Sequence, residues 1–217
     1  MADEQKPGGS EPPPPAGGGD TAPPAKPAAE VAKAAPPKPA AAPPKPPAIM
    51  AATPWESDLA GEIKERFGEG ISATSTYLGQ NFVVAQPDLA IPILEFLKLD
   101  ADFDYLVDIT AVDWPKGTER FDVVYILYSF SRNERLRVKI QIPEGYQPET
   151  AVGVHLTANW LEREVYDMFG IEFSGHPDMR RILMPDEWQG FPLRKDYGIL
   201  QQDPRWVREN LGIESGQ

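Results

Sequence analysis

Residues 159–173 read Asn159-Trp160-Leu161-Glu162-Arg163-Glu164-Val165-Tyr166-Asp167-Met168-Phe169-Gly170-Ile171-Glu172-Phe173, and the chain continues Ser174-Gly175-His176-Pro177-Asp178-Met179-Arg180-Arg181-Ile182-Leu183-Met184-Pro185. The first half has the spacing of a helix. Leu161, Val165, Met168 and Phe169 fall at i, i+4, i+7 and i+8, which makes one apolar stripe. Gly170 stands where a helix commonly ends in a left-handed turn. Ile171 and Phe173 alternate with Glu172, which predicts a short strand. Gly175-His176-Pro177-Asp178 is turn chemistry.

Working upstream, Leu136-Arg137-Val138-Lys139-Ile140-Gln141-Ile142 alternates strictly, so this strand has one polar face. Phe121 to Tyr128 is β-branched and aromatic almost throughout, as in a central strand. Ser131-Arg132-Asn133-Glu134 between them reads as a hairpin loop. Phe103, Leu106, Val107 and Ile109 lead into Ala111-Val112-Asp113-Trp114, another strand. Pro87-Asp88 opens a helix through Leu94 and Leu97, with Pro92 in its first turn. Ile71 to Tyr77 and Phe82 to Ala85 are strands around Gly79-Gln80-Asn81. Thr53-Pro54-Trp55-Glu56 has the form of a capping box, with Thr53 as N-cap of a helix that buries Leu59, Ile63 and Phe67 and stops at Gly68. The order is helix, two strands, helix, three-stranded meander, helix. It predicts an α+β fold, a single domain over residues 53–185 with a mixed or antiparallel sheet packed by helices.

Both flanks differ from this domain. Residues 1–52 hold 15 of the 25 prolines, and five lysines balance five acidic residues. They have almost nothing large and apolar to bury against the entropy of ordering, so this tract is expected to be disordered, with polyproline II character. Residues 186–217 are expected to form an extended arm. They carry Trp188, Phe191, Tyr197 and Trp206 without helical or strand periodicity, so they should lie on another surface.

The whole formal charge of −12 falls on residues 53–217, which argues against nucleic acid, since phosphate binding needs a basic surface. The chain has no cysteine, which excludes disulfides, thiol catalysis and thiolate-held clusters. No run of 18 apolar residues occurs, and the start lacks the pattern of a secretory signal. Glu162, Glu164 and Asp167 suggest a metal or acid–base cluster, but residues two apart on a helix point away from each other. Arg163 and Asp167, four apart, are expected to pair. His176 reads as a hydrogen-bonded turn residue, and His155 is the only other histidine. No phosphate loop, zinc spacing or nucleophile elbow occurs. The residues alone thus predict no catalytic, cofactor-binding or metal-binding residue.

Three blocks carry a resemblance: Glu162-Arg163-Glu164-Val165-Tyr166-Asp167-Met168-Phe169-Gly170-Ile171, then Gly175-His176-Pro177-Asp178-Met179-Arg180-Arg181-Ile182-Leu183, then Gly190-Phe191-Pro192-Leu193-Arg194-Lys195-Asp196-Tyr197. In this order they resemble the 30-kilodalton subunit (lettered C) of the proton-pumping NADH-quinone oxidoreductase, respiratory complex I. Leu106 to Asp113 and Arg120 to Tyr125 look like the family's sheet, so the likeness covers about residues 53–200. Family members usually carry histidine where this chain has Phe191, and a serine near Gly153.

The resemblance implies a non-catalytic structural and assembly subunit. It would be peripheral, on the cytoplasmic side of the cell inner membrane, touching the membrane only through the complex. The implied partners are the large hydrogenase-like subunit (lettered D) and nearby cluster-bearing subunits. The whole complex would use FMN, iron–sulfur clusters, NADH and quinone, with none held by this chain. Ending at Gln217, the chain is expected to be separate from the large hydrogenase-like subunit, although some bacteria fuse the two. Alternatives are the equivalent subunit of a membrane-bound hydrogenase or coenzyme F420-linked dehydrogenase, and a stand-alone hydrolase using Glu164, Asp167 and His176. The stripe of Leu161, Val165, Met168 and Phe169 should pack on the meander. Arg180, Arg181, Arg194 and Lys195 should face a partner, unless they pair locally with Asp178, Asp186 or Asp196.

Overall fold

The computed structural model describes residues 51–198 and 204–212. The Pro/Ala-rich tract up to residue 50 and the side chain of Trp206 lie outside the described residues. Six strands form one sheet, β1 (Thr53–Pro54), β2 (Ile71–Tyr77), β3 (Gln80–Ala85), β4 (Tyr105–Asp113), β5 (Phe121–Ser129) and β6 (Glu134–Ile142), in the order β1-β2-β3-β6-β5-β4. Three helices accompany them, α1 (Asp58–Phe67), α2 (Ala90–Leu99) and α3 (Ala158–Phe169).

β4, β5 and β6 form the expected antiparallel meander. β3 then joins β6 in parallel, which makes the sheet mixed. Alternation along β6 decides the faces. Leu136, Val138, Ile140 and Ile142 are fully buried, while Arg135, Arg137, Lys139 and Gln141 point the other way. Phe121, Val123, Tyr125 and Leu127 of β5 join the same core, together with Ile63 of α1 and Ile93, Leu94 and Leu97 of α2. Leu78 and Gly79 both have positive φ, the geometry of a tight hairpin turn between β2 and β3.

Three local expectations are corrected. Thr53 is not a helix cap: it pairs with Thr76 across β1 and β2, and the Trp55 amide donates to the Thr74 carbonyl at 3.1 Å. Pro54, with no amide hydrogen to contribute, suits this sheet edge. The cap of α1 is Ser57, whose hydroxyl accepts from the Ala60 amide at 3.1 Å. Ile171 and Phe173 are buried as their alternation predicts, but a single parallel bridge between Glu149 and Ser174 replaces the expected strand. The C-terminal arm contains a helix, α4 (Pro204–Leu211). Proline fits its first position, and an Arg205–Glu209 ion pair of 3.0 Å spans one turn of it.

Candidate functional site: the buried charges around α3

The apolar stripe faces the core as expected. Val165, Met168 and Phe169 are buried, Leu161 packs against the same cluster, and α3 lies against β4. Gly170 closes the helix in the left-handed region (φ 72°), its amide donating to the Tyr166 carbonyl at 2.8 Å. The surprise lies among the polar residues, because Glu162, Arg163 and Asp167 are buried as well.

Asp167 is a hub. One carboxylate oxygen takes Nη1 of Arg181 at 2.6 Å. The other accepts three successive amides, from Ile182, Leu183 and Met184, at 3.0, 2.7 and 2.8 Å. Burial alone would raise its pKa. The three amides and Arg181 outweigh burial and hold the carboxyl below its usual value. The expected Arg163–Asp167 pair does not form. Arg163 instead donates to the Arg180 and Arg181 carbonyls, both at 3.1 Å, and stacks under Trp160. One helix thus fixes the irregular segment 180–184 twice, its carbonyls through Arg163 and its amides through Asp167. Helical spacing shows only which side chains share a face; the segment folding over α3 supplies better partners.

Glu162, also fully buried, is held differently. The Thr150 hydroxyl donates to it at 2.5 Å and the Ala151 amide at 2.6 Å. No guanidinium is among its hydrogen-bond partners. Burial lifts its pKa to about 7 against the opposing pull of these two donors. His176 Nε2 stands 4.0 Å from it, both side chains being out of solvent. The Asp178 amide donates to His176 Nδ1 at 3.0 Å, which puts the ring hydrogen on Nε2, directed at the Asn159 carbonyl 3.1 Å away. His176 is therefore the hydrogen-bonded turn residue that the sequence predicts.

The arm up to residue 198 is buttoned back onto the domain. Arg194 donates to the Phe169 carbonyl and to Glu144, and lies over the rings of Phe121 and Phe191. The Leu193 amide reaches the Met168 carbonyl at 3.0 Å, and the Lys195 amide reaches Asp113 at 2.7 Å. Arg120 grips Asp113 with two nitrogens, at 2.9 and 3.2 Å, and also holds Glu144 and Asp196. Burial would raise the Asp113 carboxyl, but Arg120 and the Lys195 amide bring it below its usual value. Phe191 sits where a Cβ on Gly170 would be, 2.5 Å from it, and Tyr197 crowds Gly190 in the same way at 2.7 Å. Tyr166 meets the edge of Phe191, and Pro192 lies between these contacts, half-buried.

Arg181 and Arg194 are engaged within the chain, with Asp167 and Glu144 in place of the Asp178, Asp186 or Asp196 expected for local pairing. Arg180 is exposed and pairs, among the described residues, with Asp178, itself on the surface, and Lys195 leaves its side chain exposed. The hydrolase arrangement does not assemble. Glu164 is exposed, Asp167 is saturated by Arg181 and backbone amides, and His176 is engaged at both ring nitrogens. Gly175, at φ 78°, and exposed Pro177 shape the turn. Sequence reasoning missed Asp113, Arg120, Glu144 and Thr150. Asp113 alone left a signal, as a carboxylate that closes the apolar run Ala111-Val112 at the end of its strand.

These charges grip backbone and hold segments together. The fold and site define an α+β domain whose motif residues tie α3 to the segments that fold over it. Residues 83–203 match the family described as the respiratory-chain NADH dehydrogenase 30-kDa subunit, and the chain belongs to that family. It is 42% identical over 143 residues to the C-lettered NADH-quinone oxidoreductase subunit of Geotalea uraniireducens, covering 65% of this chain and 87% of that one. Its identity to the same subunit of Dinoroseobacter shibae is 44% over 142 residues, 64% of this chain and 66% of that one. Among solved structures it is similar to a chain of the membrane-bound sulfane sulfur reductase, an archaeal respiratory membrane complex. The TM-score is 0.59 at 25% identity, over 72% of this chain and 91% of that chain.

Proposed function

We propose that the chain is a non-catalytic assembly subunit in the peripheral arm of a proton-translocating NADH-quinone oxidoreductase, docked on the large hydrogenase-like subunit. One observation carries this reading. The outer side of the motif leaves Leu156 84%, Trp160 61% and Leu183 61% exposed, beside Arg180. Trp160 covers Arg163, which holds the carbonyls at Arg180 and Arg181, so Trp160 and the exposed Arg180 belong to one anchored unit. Exposed apolar clusters mark interaction surfaces, and Trp and Arg are the residues that dominate them.

In this reading the subunit sits peripherally on the cytoplasmic side of the inner membrane. Among the described residues no helix is long and apolar enough to cross a membrane, which fits attachment through other subunits. FMN and the iron–sulfur clusters belong to those partners: a chain without cysteine has no thiolate for a cluster. The likeness to the sulfane sulfur reductase chain supports a second reading, the same structural role in another membrane-bound electron-transfer complex.

The test is to purify the tagged chain from its source membranes and identify what accompanies it. Flavin- and NADH-binding subunits together with the large hydrogenase-like subunit support the first reading, and hydrogenase- or reductase-type subunits support the second. Trp160→Ala with Leu183→Ala should leave the isolated chain folded and reduce co-purification at least tenfold. Recovery of the chain alone from native membranes would overturn both readings.

A further inference from the structure

Glu162 is a buried carboxyl group for which the assembly reading has no use. We propose that it is a proton-binding site that sets the state of the 174–178 turn. With its proton, Glu162 accepts from the Ala151 amide, turns its own hydroxyl to the Thr150 oxygen, and leaves His176 bonded to Asn159. Without it, the carboxylate draws the His176 Nε2–H away from the Asn159 carbonyl.

The geometry supplies both states. Three segments supply groups that interact with Glu162. The 150–152 loop contributes the Thr150 hydroxyl and the Ala151 amide, and Glu149 beside it is exposed. β5 contributes Tyr125, whose buried hydroxyl has no hydrogen-bond partner among the described residues and whose pKa is raised, first by burial and then by the charge of Glu162. The turn contributes His176. On α3 itself, Arg163 is turned to the Arg180 and Arg181 carbonyls. Among the described residues no lysine or arginine is paired with the carboxyl group, and burial favours its neutral form.

His176 is poised to answer a charge there. Its Nε2 lies 3.1 Å from the Asn159 carbonyl and 4.0 Å from the nearer Glu162 oxygen, so a small ring movement exchanges one acceptor for the other. It cannot neutralise Glu162 by taking a second proton without losing the Asp178 amide at Nδ1. Ionisation of Glu162 is thus transmitted as a choice of hydrogen-bond acceptor. That choice affects the turn leading into residues 180–184, the strip held by Arg163 and Asp167. The inference does not depend on which complex the chain joins.

Nuclear magnetic resonance of the full chain tests it directly, because only two histidines contribute ring signals. The expected result is one glutamate carboxyl carbon titrating between about pH 6 and 8, where ordinary glutamates titrate near 4.3. The His176 ring signals should show an inflection at the same midpoint. Glu162→Gln, which mimics the protonated acid, should abolish that inflection. If it does not fold, Thr150→Val takes its place, and removing a donor to the carboxylate should move the midpoint upward. Titration of every glutamate below about pH 5.5 in the wild-type chain would overturn the proposal, as would a His176 profile unchanged by Glu162→Gln.

Discussion

Asp167 and Glu162 sit five residues apart on one helix, both wholly withdrawn from water, yet their chemistry diverges. Asp167 receives a guanidinium and three amides, and its carboxyl is held below the usual pKa. Glu162 receives one hydroxyl and one amide, and its pKa is pushed up to about 7. Burial penalises either charge, and the donors supplied around it decide which form survives. One carboxylate is thus a permanent structural anchor and the other a group that titrates near neutrality.

Asp167→Ala should break this contrast most severely. It strands Arg181 and three amides in a poorly hydrated place, and removing one member of a buried pair costs about 3–5 kcal/mol. Urea unfolding of the variant should show that loss, and a stability within about 1 kcal/mol of wild type would show that Asp167 is no anchor.

The pH dependence sharpens the comparison, because the two groups have opposite signs. The stabilisation from Asp167 is present above its ordinary value of 3.8 and is lost in acid, as pH falls through its lower folded value. That from Glu162 is complete below 4.5 and is lost as pH rises to about 7. Between pH 4.5 and 7 the Glu162 contribution should fall by on the order of 3 kcal/mol. Glu162→Gln should flatten that window and leave the acid limb intact. Matched urea midpoints at pH 5 and pH 8 would decide it, and equal slopes in both proteins would refute it.

Gly170→Ala asks whether the arm belongs to the same anchored unit. It combines a left-handed backbone with a Cβ driven into Phe191, and about 2–3 kcal/mol is expected. Limited proteolysis should then cut earlier within residues 186–198, and an unchanged cleavage pattern would separate the arm from Asp167. The smallest effect is expected from deleting residues 1–52, whose composition offers no core. The thermal midpoint should move by no more than about 2–3 °C, a shift worth less than roughly 1 kcal/mol in a domain of this size.

The positions of β2 to β6 and of α1 to α3 were largely legible because they follow from periodicity. The alternation of Leu136 to Ile142 and the stripe of Leu161, Val165, Met168 and Phe169 select one buried face without knowledge of neighbours. The meander, the parity of β6 and the left-handed stop at Gly170 are accordingly where the sequence puts them. The motif blocks were equally legible as a family resemblance. Local competition spoiled Thr53: its capping pattern is real, but edge pairing with Thr76 satisfies the same backbone, and Ser57 is left to cap α1.

What only the tertiary structure decided is the partner of every buried charge. Arg163 and Asp167 satisfy the helical pairing rule and ignore it. Residues 180–184, more than ten positions away, bring carbonyls to one and amides to the other. Arg194 and Asp113 are more distant still, and meet in the clasp built around Arg120, Glu144 and the Lys195 amide. Periodicity records which face a residue lies on, but a charge is stabilised by whatever donors the folded chain delivers from outside its own helix or strand.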